Sequence, residues 1–126
     1  SEFRENQTQL PFIWVAKEGE MENAIKILIE KIGQDYVYCF GPSERSEKFA
    51  SELGYKINKK YIKVLGHNGS EVWGFVVNTD DDSMFRKGDI LMAAGWKTPA
   101  RNAARGNVLD GNFDWVQWTG PEYLID

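Results

Sequence analysis

The sequence predicts an α/β or α+β fold, with two helices packed on a mixed β-sheet, then an antiparallel meander and a loop-rich C-terminal segment. Three observations point there. Met21, Ala24, Ile25, Leu28, Ile29 and Ile32 recur at steps of three and four, the spacing of one helix face. Ile62-Lys63-Val64-Leu65 and Val72-Trp73-Gly74-Phe75-Val76-Val77 flank Asn68-Gly69, a strong signal for a tight hairpin. Helical and strand-like stretches alternate over the first half, an order that favours parallel strands joined by helical crossovers.

The elements follow in chain order. Phe12-Ile13-Trp14-Val15, after Pro11, reads as a first strand. Glu18, Glu20 and Glu22 then open the first helix, where the dipole favours acids, and Gly33 is placed to end it. Tyr36-Val37-Tyr38-Cys39-Phe40 is apolar throughout and reads as a strand covered on both faces, with Cys39 a buried thiol. Gly41-Pro42-Ser43-Glu44 begins a second helix, with Pro42 suited to its first position, that buries Phe49, Ala50 and Leu53 and stops at Gly54. The expected core is Ile25, Leu28, Ile32, Val37, Phe49 and Leu53. A strand near 61–65 enters the hairpin. Asn78-Thr79-Asp80-Asp81-Asp82-Ser83 is polar loop, and Lys87-Gly88-Asp89 leads into a strand at Ile90-Leu91-Met92. The last strands are expected at 114–118 and 123–125, split by Gly120-Pro121.

Size and composition bound the rest. The 126 residues suit one domain spanning 1–126, with Ser1-Glu2-Phe3 read as a cloning remnant. The net charge of −4, with both signs interspersed, argues against general nucleic-acid binding. No apolar run approaches the ~20 residues that span a bilayer, and no secretory pattern opens the chain. A soluble protein of the cytoplasm is therefore expected. One cysteine and one histidine are too few for structural zinc. Asp80, Asp81, Asp82 and Asp89 fit no calcium-loop register, and glycine-rich phosphate motifs are missing. Neither metal nor cofactor is expected. His67 and Ser70 belong to the Asn68-Gly69 turn and lack the third member of a nucleophilic triad. Five Trp, five Tyr and seven Phe are a generous supply of interface anchors.

The most informative stretch is 95–107. Thr98 is a good N-cap, Pro99 a good first residue, Arg105 a good last-turn residue and Gly106 a good stop. A two-turn helix here would set Arg101 and Arg105 on one face, near free N–H groups beside Lys97. Trp96 would stack on a ring beside them. The candidate binding residues are thus Trp96, Lys97, Thr98, Arg101, Arg105 and Asn107, with a phosphate-bearing or nucleotide-like ligand; no catalytic residue is identified. The competing expectation is a capped surface helix whose arginines pair with nearby acids.

The strings Lys87-Gly88-Asp89-Ile90-Leu91-Met92-Ala93-Ala94, Pro99-Ala100-Arg101-Asn102-Ala103-Ala104-Arg105-Gly106-Asn107 and Trp118-Thr119-Gly120-Pro121-Glu122-Tyr123-Leu124 resemble small accessory proteins of tailed bacteriophages. The resemblance covers residues 72–124. It implies expression in a bacterial host cytoplasm and stoichiometric engagement of a host or defence component. The expected function is a non-catalytic binding protein that engages a host protein or sequesters a small anionic ligand. The alternative is an enzyme acting on a nucleotide or phosphorylated substrate, with Arg101 and Arg105 stabilising charge. Homo-oligomerisation stays open.

Overall fold

A computed structural model describes the backbone of residues 10–121 and the side chains of residues 19–121. The first helix, α1 (Leu10–Phe40), is one uninterrupted element of 31 residues, about 46 Å long at 1.5 Å per residue. The strands expected at 12–15 and 36–40 are both helical, and Gly33 does not stop the chain. The reason lies in the stripe. Met21, Ile25, Leu28 and Ile32 are followed one turn later by Tyr36, all buried, so the helical period continues through the run that looked like a strand. The rest of that run faces outward, with Val37 37% and Tyr38 88% exposed, and Cys39 is exposed rather than buried. The stop is Gly41, at φ +82°, whose N–H donates to the Val37 carbonyl at 2.7 Å. Gly33 instead serves close approach: a Cβ there would stand 3.4 Å from the Ala50 Cβ.

The second helix, α2 (Glu44–Ser51), opens in the expected stretch, but at Glu44, with Pro42 outside it rather than at its first position. Ser43 caps it by accepting a hydrogen bond from the Ser46 N–H at 3.2 Å. Phe49 is buried, Leu53 packs partly buried beside it, and Ala50 is exposed.

Four strands form one sheet in the order β1 (Gly54–Ile57), β2 (Tyr61–Gly66), β3 (Glu71–Val77) and β4 (Ile90–Leu91). Among the described residues every pairing is antiparallel, so the class is α+β, and the parallel strands and mixed sheet expected from alternation do not form there. Two stretches expected as strands went to α1, which left no crossover to build. The Asn68-Gly69 hairpin is present, with a 3-10 turn at His67–Gly69 joining β2 to β3. A short second ribbon pairs β5 (Val116–Gln117) with β6 (Gly120–Pro121). Gly120-Pro121, expected to separate two strands, is itself one of them. The strand expected at 123–125 lies outside the described residues.

The sheet is covered on both sides. On one face Ile62, Val64, Trp73, Val76 and Ile90 pack against the α1 stripe. On the other, Phe75, Val77 and Leu91 pack with Phe85, Ala93 and Ala104 from the loops. The register of β2 with β3 slips between Val64 and Leu65, leaving Trp73 as an extra residue. That bulge puts Trp73 on the same side as Gly74 and Val76, and its indole N–H donates to the Gln117 carbonyl at 2.7 Å. The ribbon is also tied to α1, because the Trp118 N–H donates to the Asp35 carboxylate at 2.9 Å.

Candidate functional site

The helix expected from Thr98 to Gly106 is not there. Residues 92–115 instead form a long irregular segment laid along the sheet. Its amides and carbonyls are met by strand neighbours: Ala100 N–H donates to the Met92 carbonyl (2.7 Å), Arg105 N–H to Ile90 (2.8 Å) and Ile90 N–H to Gly106 (2.9 Å). Backbone pairing with β4 satisfies groups that an isolated two-turn helix would have left open at both ends.

The six expected binding residues divide. Arg105 and Asn107 are interior, 2% and 3% exposed. The Arg105 guanidinium donates to the Asn102 side-chain oxygen (2.7 Å) and the Ala103 carbonyl (2.8 Å), and burial lowers its pKa from the ordinary arginine value. Asn107 is a junction. Its amide donates to Asp89 (2.8 Å) and to the Lys87 carbonyl (3.1 Å), while its oxygen accepts from the N–H groups of Leu109 and Asp110. Both residues hold the segment together from the interior. The pairing of Arg101 with Arg105 on one face is therefore overturned.

Trp96, Lys97, Thr98 and Arg101 are exposed. Arg101 reaches back to the turn before Phe85. Its guanidinium meets both carboxylate oxygens of Asp82 at 2.8 and 2.9 Å, donates to the Tyr61 hydroxyl at 2.7 Å and lies 5.0 Å from the Phe85 ring centre. Asp82 also accepts from the Met84 and Phe85 N–H groups (2.8 and 3.0 Å), and its side chain is only 1% exposed. The hydrogen bonds from Arg101, then those from the backbone, hold the Asp82 carboxyl far below the usual carboxylate range; in return Asp82 raises Arg101. So Asp82 is a structural acid that fastens the loop.

Around this pair the structure adds residues the sequence reading passed over. Residues 53–70 contain four lysines and no acid. They fold into the β1–β2 hairpin, where Lys56 stands directly opposite Lys63. Lys63 is opposite Phe75, so both lysines share the loop-covered face of the sheet. The Lys63 ammonium sits 4.6 Å from the Trp96 ring centre, a cation–π distance. Lys59 and Lys60, at the hairpin turn, join Thr79, Asp81, Asp82, Ser83 and Arg101 around a cavity of about 440 Å³. Like charges directly opposite on paired strands are destabilising. Among the described residues no carboxylate stands within ion-pair distance of Lys56 or Lys63. The signal in the sequence was the run Lys56-Ile57-Asn58-Lys59-Lys60-Tyr61-Ile62-Lys63, hidden by the negative total.

A larger groove of about 530 Å³ lies between α1 and α2. Its serines are occupied by the helix start: Ser43 caps α2, and the Ser46 hydroxyl donates to the Gly41 carbonyl at 2.6 Å. His67 and Ser70 belong to the hairpin turn, where the Ser70 hydroxyl donates to the His67 backbone carbonyl at 2.8 Å. Among the described residues no group of three or more His, Cys, Asp or Glu side chains is placed to hold a metal ion, and no helix is long and apolar enough to cross a membrane. Compared with protein-family models, curated proteins and solved structures, the chain has no significant match.

Proposed function

We propose that this chain is a non-catalytic binding protein that takes an anionic partner on its β1–β2 hairpin, beside Trp96. The observation that carries this reading is the acid-free lysine hairpin, with Lys56 opposite Lys63 and the half-exposed Trp96 beside them. An anionic partner relieves the repulsion between the paired lysines and gains their field at short range. The total charge of −4 does not oppose this, because charges farther than a Debye length of ~8 Å are largely screened at physiological salt. The resemblance to small tailed-phage proteins supports a stoichiometric role in a bacterial cytoplasm, where a host or defence component or a small anionic ligand is the partner. The enzyme alternative relied on Arg101 and Arg105 acting together. Arg105 now belongs to the core, and the Arg101 fork is filled by Asp82.

The test is a titration at low salt against a set of anions: nucleoside triphosphates, polyglutamate and oligonucleotides. The double variant Lys56→Gln, Lys63→Gln should lose most of whatever binding the parent shows. Absence of binding to every anion, or equal binding by both proteins, would remove the reading. Steady turnover of a nucleotide would replace it with the enzyme.

A further inference from the structure

We infer that the anion is a phosphodiester chain, and that the hairpin face with Trp96 is a docking surface for single-stranded nucleic acid. This inference rests on the reading of that face as anion-binding and narrows it by ligand chemistry. The guanidinium fork suits carboxylate and phosphate alike, and the arginine of this face already spends both prongs on Asp82. The cations left, the exposed Lys56, Lys59 and Lys60 and the half-buried Lys63, are compact point charges that can neutralise phosphates approached from any direction. The feature that chooses between phosphate and carboxylate is Trp96. It is 51% exposed and stands at the edge of the lysine row, with Lys63 over its ring. A half-exposed indole among lysines is the pairing of stacking platform and backbone-neutralising charge that sequence-tolerant single-strand binding uses. The carboxylate side chains of an acidic peptide carry no flat ring system for such a platform.

The geometry also explains why a single strand is favoured over a duplex. The basic residues sit on the β1–β2 hairpin at the edge of the four-stranded sheet, with the Arg101–Asp82 loop beside it. Paired to β3 along its inner strand, this hairpin is not a free ribbon able to enter a groove, whereas splayed bases reach Trp96 directly.

The experiment measures anisotropy of labelled single-stranded DNA and RNA oligonucleotides of mixed sequence against the full chain from low to physiological salt. The affinity should fall with salt at a logarithmic slope of about −2 to −3, that of three or four phosphate contacts at ~0.7 each on a single strand. Lys56→Gln with Lys63→Gln should flatten that slope by about 1.4. Trp96→Ala should weaken binding by about 5- to 100-fold with the slope unchanged, and Trp96→Phe should restore much of it, because base stacking survives on the smaller ring. Circular dichroism of each variant establishes that the fold is kept; both sites are on the surface. Polyglutamate of matched charge, bound as tightly as the oligonucleotides and indifferent to Trp96→Ala, would overturn the phosphodiester assignment and leave the anion-binding reading standing. Loss of binding to every anion would overturn both. Duplex DNA bound more tightly than either single strand would also overturn the assignment.

Discussion

The segment around Arg101 and the segment from Arg105 to Asn107 adjoin in sequence and carry similar side chains, yet the fold uses them in opposite ways. Arg101 is at the surface and closes an ion pair that fastens one loop to another. Arg105 is buried, and with Asn107 it supplies hydrogen bonds to backbone groups that the irregular segment cannot satisfy by itself. Spacing and residue type do not determine role in a segment without a regular period. What decides is which backbone edge lies next to it. Here that edge is β4, whose Ile90 exchanges hydrogen bonds with Arg105 and Gly106.

Changes in the inner segment should have the largest effects. Gly106 has φ +133°, and a Cβ there would stand 2.5 Å from the Asn112 carbonyl oxygen. Gly106→Ala should cost about 2–5 kcal/mol in chemical unfolding, through backbone strain and overpacking. A loss below about 1 kcal/mol would mean that residues 105–112 are not held as described. Leu28→Ala, in the helix-facing core, should fall in the same range of about 2–5 kcal/mol and serves as a yardstick for interior positions.

Arg105→Ala should follow, at about 2–4 kcal/mol, because it opens a cavity and strips partners from Asn102 and Ala103. Its anion binding, measured on folded protein, should match the parent's. If instead binding drops while stability holds, the division between the two arginines is wrong.

The smallest effect on stability is expected at the outer pair, and it should depend on pH. Asp82 has a lowered pKa in the folded protein, so its contribution is full above the ordinary carboxylate value of ~3.9 and is lost as pH falls through the lowered folded value. The raised pKa of Arg101 concerns only strongly alkaline solution. The melting-temperature difference between the parent and Asp82→Asn should therefore be constant from neutral pH down to about pH 5 and shrink below ~4. A difference that stays constant to the most acid point measured would show that the ion pair contributes nothing.

Much of the fold was legible where a period or a turn signal was strong. The α1 stripe and the Asn68-Gly69 hairpin both stand where their residues indicate. Legibility failed where local signals competed with tertiary ones. Residues 36–40 have strand composition, but Tyr36 completes a buried stripe one turn after Ile32, and packing on Phe49 and Trp118 holds it there. Thr98, Pro99 and Gly106 carry helix start and stop signals, yet between them no apolar stripe repeats to be buried, so pairing with β4 prevailed. Strand β1 is hidden because Gly54 reads as a helix stop, although Tyr55 and Ile57 alternate with lysine and asparagine. Of the candidate site, Trp96, Lys97, Thr98 and Arg101 were found at the surface, while the lysines beside them were concealed by averaging charge over the whole chain.

Strand β1 has a further consequence, for how copies of the chain meet one another. It is the outermost strand of its sheet among the described residues, whereas the outer side of β4 is occupied by residues 105–106. An uncovered strand edge is a template on which a second molecule can add its own strand, the route into aggregates. Here that edge is four residues long, with Lys56 inside it and Lys59-Lys60 just past its end. Two such edges brought together would oppose lysine to lysine before their backbones could pair. The hairpin's charge thus keeps the growing end of the sheet from being extended by its own kind.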